Sequence, residues 1–554
     1  MNHSDNKRKP SEKKDNLKVV AFAAAVCLFF IMVGLLIAGL QNVAVDTLYV
    51  DGCKLVKGEQ GYSIVDYDEF MCGKKKLTIP EHVGGVPVVS ISSWAFASSN
   101  IKEIVLPASL LEIEHGAFGW CHTLESIEFA ENSKLASIGS SAFYYCDSLT
   151  SIEIPDSVII IGDYAFNRCD SLTSIEIPDS VTSIGENAFS DTNLVREENG
   201  VSYVDKWVIN CDSSLKQVQL RDNTAGIANS AFYNCSSLTS IEIPDGVRSI
   251  GDSAFYYCDL LVSITIPDSV TSIGYSAFSG CSSLTSIVIP DGVTSIGDET
   301  FRSCDSLTSI EISDSVTSIG EEVFAWCDSL TSIEIPDGLR IIGDSAFYYC
   351  DLLVSITIHD SVTSIGCSAF SGCSSLTSIV IPDGVTSIGD ETFRSCDSLT
   401  SIEIPDSVTS IGEEAFAWCD SLTSIEIPDG VRSIGDRAFL GTNLIQKENG
   451  VSYVDKWVID CDGSLKQVQL RDNTVGIADS AFDLCDLTSI IIPDSVTNIG
   501  AEAFYLCDSL KTINFQGTKA QWEAVNKGDD WNDFVGGSRG YTVVCTDATL
   551  HEEG

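Results

Sequence analysis

One phrase recurs along this 554-residue chain about every 23 residues. Leu172 to Phe189 reads LTSIEIPDSVTSIGENAF, and Leu399 to Phe416 nearly repeats it. A marker Phe closes each copy. It falls at Phe96, Phe118, Phe143, Phe166 and Phe189, then at Phe232 and every 23 residues to Phe439, then at Phe482 and Phe504. Two steps, Phe189 to Phe232 and Phe439 to Phe482, are 43 residues long. A fixed period of this size builds a solenoid, in which each turn packs only on its neighbours. A residue present in every turn is therefore core. Function must sit on exposed rows or where the period breaks.

The stretch LTSIEI at 149–154 alternates apolar positions at Ile152 and Ile154, which predicts a short strand with one buried face. Pro155 lacks a backbone donor, so the strand stops there and Asp156-Ser157 turns the chain. Val158 to Ile161 predicts a second extended segment, ended by Gly162. Ala165-Phe166 is expected to close the coil as a brief helical or 3₁₀ turn. Stacked at the strand spacing of roughly 4.8 Å, about seventeen turns make a rod on the order of 80 Å long.

The phrase LTSIEIPDSVTSIGEEAFAWC at 399–419 resembles the BspA-like, Treponema pallidum-type leucine-rich repeat family. The likeness covers about 90–510, and the piece from Gly517 to Asp547, with Trp522, Tyr541 and Cys545, is similar to the end of bacterial members. The resemblance implies an α/β leucine-rich-repeat solenoid of short parallel strands. It also implies a cell-surface protein that adheres to host proteins or other cells, and it brings no enzymatic activity, catalytic residue or cofactor.

The first forty residues are of another kind. Residues 1–18 are basic, with Lys7, Arg8, Lys9, Lys13, Lys14 and Lys18, and Val19 to Leu40 then runs without a charge. Some 20 helical residues span a bilayer's roughly 30 Å of hydrocarbon. Basic residues before the segment and Asp46 and Asp51 after it place the N-terminus in the cytoplasm and the repeats outside. The reading is an uncleaved signal anchor at 19–40, the alternative a cleaved signal peptide and secretion. Residues 41–92 form a stalk and N-terminal cap, 93–510 the solenoid, with inserts near 193–212 and 443–462, and 511–554 a C-terminal cap. Cys53 and Cys72, outside the repeat, are either a disulfide pair or two thiols.

A formal net charge of −47 repels phosphate backbones, so nucleic acid is not an expected partner. An Asp follows the strand-ending Pro in most copies, among them Asp156, Asp179, Asp291 and Asp429. Such residues accept backbone N–H bonds in turns, or else stack as weak calcium sites, although no stretch has a dedicated calcium loop's ligand spacing. Fourteen cysteines lie three residues after the marker Phe, from Cys121 to Cys507. Their even spacing is unlike a zinc site and predicts a buried thiol ladder. The six histidines form no metal-ligand pair, and the GGSRG run at 536–540 lacks the strand-to-helix context of a nucleophile elbow.

Two surfaces are candidates for a protein partner. The first is the row between the paired isoleucines: Glu153, Glu176, Glu242, Thr265, Val288, Glu311, Glu334, Thr357, Val380, Glu403 and Glu426. Alternation puts it opposite the buried pair, either as a recognition face or as a solvated one. The second is the pair of inserts, each an Asn-Gly hairpin carrying Tyr203 and Trp207 or Tyr453 and Trp457. These aromatics are either exposed anchors or core. Residues 252–320 and 344–412 are near copies, so the chain grew by whole turns. The functional expectation is a surface-displayed protein-binding rod. The alternative is a structural spacer or coat that recognises nothing.

Overall fold

The computed structural model describes residues 47–68, 74–533, 535 and 540–552. Val19–Leu40, Cys72 and Ser538 lie outside the described residues. Among the described residues no helix is long and apolar enough to cross a membrane.

Each turn contributes two short strands. Ser151–Glu153 pairs in parallel with Ser174–Glu176, Ile152 facing Ile175 and Glu153 facing Glu176. Ile160–Ile161 pairs in the same way with Ser183–Ile184. Between them the proline turn closes on a bond from Val158 N–H to Pro155 C=O (3.0 Å). Both pairings carry the same 23-residue offset, so the chain climbs one strand spacing per circuit.

The third side corrects the expected helical or 3₁₀ turn. Around Phe143, Ala142 and Tyr144 donate back three residues, to Gly139 and Ser141. The residues between them donate to the following turn instead: Ser141 to Asp163 (2.7 Å), Phe143 to Ala165 (2.8 Å) and Tyr145 to Asn167 (3.0 Å). Ser141 (φ 57°) and Tyr145 (φ 59°) are left-handed. A helix would spend every N–H within its own turn. The left-handed residues two before and two after the Phe swing alternate N–H groups outward, and the segment becomes a third ladder between turns. Among the described residues the α-helix is Lys519–Ala524, near the C-terminal end.

The core is a set of ladders. Phe118, Phe143, Phe166 and Phe189 are fully buried and stack at centroid distances of 5.2–5.4 Å, with planes tilted by 14° or less. The stack begins with Phe96 against Tyr67 (5.0 Å) and ends with Phe504 edge-on to Trp531 (6.1 Å). Antiparallel strands finish the sheets. Thr47–Val50, Cys53–Lys57 and Tyr62–Tyr67 do so at one end, and Tyr541–Val544 with Thr549–Glu552 at the other. They cover apolar rungs that would otherwise template association.

All fourteen ladder cysteines are buried thiols. Most reach back one turn: Cys146 Sγ–H donates to Phe118 C=O (3.2 Å), Cys169 to Phe143 (3.1 Å) and Cys419 to Phe393 (3.0 Å). The Phe carbonyl thus serves its own turn's Cys N–H and the next turn's thiol. Burial pushes Cys304 and Cys350 well above the ordinary thiol value, and Cys507 up to about 12. Neighbouring thiols instead lower Cys121, Cys235 and Cys485 by hydrogen bonding, so it is burial that keeps the ladder from reagents while folded. In the native protein these thiols are expected to resist iodoacetamide, and all to label in denaturant. Among the described residues, exposed Cys367 is the native-state exception. Rapid native labelling of many thiols overturns the ladder.

Candidate binding surfaces

The Glu row lies where alternation put it. Glu153, Glu176, Glu242, Glu311, Glu334, Glu403 and Glu426 are exposed, each one residue from a buried or half-buried Ile. Facing pairs are Glu153 with Glu176 and Glu403 with Glu426, a like-charge juxtaposition that costs stability. The row is interrupted by Val288, 53% exposed beside Glu311, and by Val380, 66% exposed beside Glu403. Leu260 and Val262, and their copies Leu352 and Val354, are also exposed. Near the N-terminal third the same face forms an open groove of about 1070 Å³ past Glu128, Glu153, Asp156 and Glu176. A second hollow of about 400 Å³ continues to Asp179 and Lys206. The groove thus runs from the strand face to the first insert.

The inserts fold as expected and point the other way. Asn199 (φ 51°) and Gly200 (φ 81°) make the two-residue turn between Arg196–Glu198 and Val201–Val204. Both residues are left-handed, as a type I′ hairpin turn requires. Trp207–Cys211 then runs parallel to Gly226–Ile227, so the hairpin enters the second strand ladder. Tyr203, Trp207, Tyr453 and Trp457 are all buried, and the possibility of exposed anchors at these positions is corrected to core. Val204 and Trp207 pack with the preceding turns, while Val201, Tyr203 and Val208 pack with the following ones. The hairpin is a joint. Arg221 covers the outer face of Tyr203 at 3.9 Å and pairs with Glu198, and Arg471 covers Tyr453 at 4.1 Å and pairs with Glu448.

The post-proline aspartates do not show the expected backbone capping. Asp179 pairs with Lys206 and Arg248, Asp429 with Lys456, and Asp291 accepts from Ser313 Oγ. That work falls to the Asp after the repeat's Gly. Asp163, Asp298 and Asp390 each accept the backbone N–H one turn on, at Glu186, Glu321 and Glu413 (2.7–2.9 Å). Among the described residues no cluster of His, Cys, Asp or Glu is arranged to hold a metal. A third acidic row follows the ladder cysteines. Partial burial, then repulsion from neighbouring aspartates, raises Asp305, Asp351 and Asp397 above the ordinary carboxylate value. Burial and nearby carboxylates raise Glu413 and Asp479 likewise.

Six stretches of the chain, the last five overlapping in series, match the BspA type leucine rich repeat region, at residues 89–199, 205–331, 248–376, 294–410, 340–449 and 445–524. Comparison with curated proteins returns no match. Among solved structures, a leucine-rich repeat protein from Bacteroides ovatus is 26% identical. It covers 88% of this chain and 97% of its own, with a TM-score of 0.37. A leucine rich cell surface protein from Faecalibacterium prausnitzii is 22% identical over 88% of this chain and 99% of its own (TM-score 0.25). The pneumococcal vaccine antigen PcpA is 18% identical over 72% and 97% (TM-score 0.26).

Two predictions concern these features. A Cβ on Gly226 would lie 2.5 Å from the Trp207 ring, and on Gly476 2.4 Å from the Trp457 ring. Gly226→Ala and Gly476→Ala are each expected to cost about 1–3 kcal/mol by overpacking. They should lower the urea midpoint, while Gly463→Ala, whose Cβ would meet Leu484 C=O at an ordinary 4.0 Å, leaves it unchanged. The second concerns pH. A carboxyl raised in the folded state binds more protons folded than unfolded, so stability falls as pH rises through the window above the ordinary Asp value of about 3.9. The melting temperature should therefore rise from pH 7 to pH 5. Asp212 and Asp462, lowered by bonds from Ser214 and Ser464, lose their contribution only below that window. A falling melting temperature over pH 7 to 5 refutes the assignment.

Proposed function

We propose a function from one premise: the chain belongs to the BspA-type leucine-rich repeat family. Members of such repeat families bind protein partners. We infer that this chain is a protein-binding rod, anchored by Val19–Leu40 and displayed outside the cell, and that it mediates adhesion to host or neighbouring cells. The observation that carries the binding role is the exposed strand row. Its flanking isoleucines hardly vary along the chain, while the row itself changes among Glu, Thr and Val at nearly constant geometry. Variation confined to the solvent side of an invariant lattice supports recognition there.

The anchoring part rests on charge and hydropathy. Lys7 to Lys18 precede the apolar run and acidic residues follow it, the asymmetry that keeps an N-terminus inside. The spacer reading draws support from the inserts, whose aromatics are internal and offer no contact.

Protease treatment of intact cells decides display, with one antibody to residues 1–18 and another to the C-terminus. Loss of the C-terminal epitope with retention of a small membrane-bound N-terminal fragment is the expected result. Protection of the C-terminal epitope refutes outward display. The spacer alternative is separated by Glu403→Lys with Glu426→Lys in the full chain, which should abolish cell binding without changing thermal stability. Unaltered cell attachment favours the spacer.

A further inference from the structure

The strand face is one long side of the rod, and the ridge carrying the marker Phe is another. The residue two after the Phe is left-handed in turn after turn. Left-handed backbone suits Gly, and Gly280, Gly372 and Gly441 occupy this position (φ 74–80°). Other turns hold bulky aromatics there, among them Tyr257 (φ 55°), Trp326 (φ 63°), Tyr349 (φ 54°) and Trp418 (φ 63°). A bulky side chain costs about 1–2 kcal/mol in this conformation. All four are exposed, Trp418 by 46%. Large aromatic surface is thus held in water on strained backbone, the opposite of what stability alone favours.

The rings are also laid flat. A Cβ on Gly280 would touch the Tyr257 ring at 2.6 Å, on Gly372 the Tyr349 ring at 2.9 Å, and on Gly441 the Trp418 ring at 2.6 Å. Each aromatic run therefore ends on a glycine one turn later, over which the last ring lies. Trp326 and Tyr349 stack at 4.6 Å with planes 13° apart. Two residues beyond each ring comes the acidic row: Asp259 beside Tyr257, Asp328 beside Trp326, Asp351 beside Tyr349 and Asp420 beside Trp418. One turn pair shows what such a platform holds. Arg168 lies over the Tyr145 ring at 5.2 Å and pairs with Asp191 at 3.3 Å, all three occupying the same ridge position in successive turns.

We propose that Tyr257, the Trp326–Tyr349 pair and Trp418 are docking platforms for arginine side chains of an extended basic segment in a partner protein. The inference rests on the chain's being a protein-binding rod, but not on its outward display. A guanidinium stacks on the ring face that no neighbouring turn covers, that of Trp326 rather than Tyr349 in the stacked pair, and the flanking aspartate takes its charge. A net charge of −47 disfavours a second copy of this chain and draws a cationic partner. Tyr257 and Trp418 each lie three turns from the nearer ring of the Trp326–Tyr349 pair, about 15 Å at the strand spacing, which an extended peptide covers in four or five residues. The matching segment carries an arginine at every fourth or fifth position.

The test uses full-length protein in neutral detergent at physiological salt. The probe is a fluorescein-labelled Gly/Ser peptide with four arginines at every fifth position. Controls are the same peptide with glutamine for arginine, one with the four arginines contiguous, and the neutral oligosaccharide chitohexaose. The spaced arginine peptide should bind more tightly than the contiguous one and shift Trp emission, and the glutamine peptide and chitohexaose should not bind. The triple variant Trp326→Ser, Tyr349→Ser, Trp418→Ser keeps the charge, and Ser303 and Ser395 already occupy this position. It should weaken binding about tenfold, summed over the two platforms removed. Equal affinity of variant and wild type means charge alone holds the peptide and overturns the platforms. So does displacement of the peptide by chitohexaose. If the variant's ladder thiols label, the emission shift of the wild-type chain decides, and its absence overturns the proposal. Failure here leaves the protease result untouched, so the two readings fall separately.

Discussion

The whole molecule depends on backbone bonds between adjacent turns, repeated once per turn, with N–H groups beside the strands donating to the preceding turn and those of the Phe segment to the following one. Each turn makes such bonds on three sides: through Ser151–Glu153 and Ile160–Ile161, and through the left-handed segment around Phe143. No turn buries its own Phe, Ile or Leu. Burial arises only when a neighbour is bonded in register, so hydrogen bonding and hydrophobic stabilisation are formed together. The cysteine thiols add a further bond, back to the preceding turn's Phe carbonyl.

Much of this was legible in the sequence, because its periodicity is the structure's periodicity. The marker Phe, the Ile pairs and the Cys row all lie in the core as their recurrence implied. The Phe turn was misread because Ala-Phe beside polar residues has the composition of a short helix. Nothing in the residues Ser141 or Tyr145 announces φ > 0, a conformation that only Gly makes readable in sequence. The insert aromatics were ambiguous for a different reason. Tyr203 and Trp207 look the same in sequence whether a hairpin leans outward or inward, and the deciding residue, Gly226, lies beyond the insert where the repeat has a Ser. The post-glycine aspartates were overlooked because Asp alternates there with Glu, Tyr and Cys, so no uniform row drew notice.

The surface divides by chemistry along the rod. The strand face carries glutamates with valine gaps, while the Phe ridge carries aromatic rings beside aspartates. Both faces hold rows of like-charged carboxylates, and on the Phe ridge burial first, then repulsion along the row, raises Asp305, Asp351 and Asp397. A lattice stabilised by backbone bonds and apolar ladders tolerates that repulsion. It also leaves much of the exposed surface free to vary, since backbone bonds and buried rungs on three sides hold one turn to the next.

The common register has a consequence for heredity. Residues 252–320 and 344–412 present the same donors, acceptors and rungs four turns apart. If recombination joins one copy to the other, the turns that meet at the seam are already complementary. Loss or gain of four turns leaves the caps, the hairpin joints and every ladder in register. The length of the rod, and the number of platforms along it, are therefore quantities that a lineage can change in a single event without first passing through an unfolded protein.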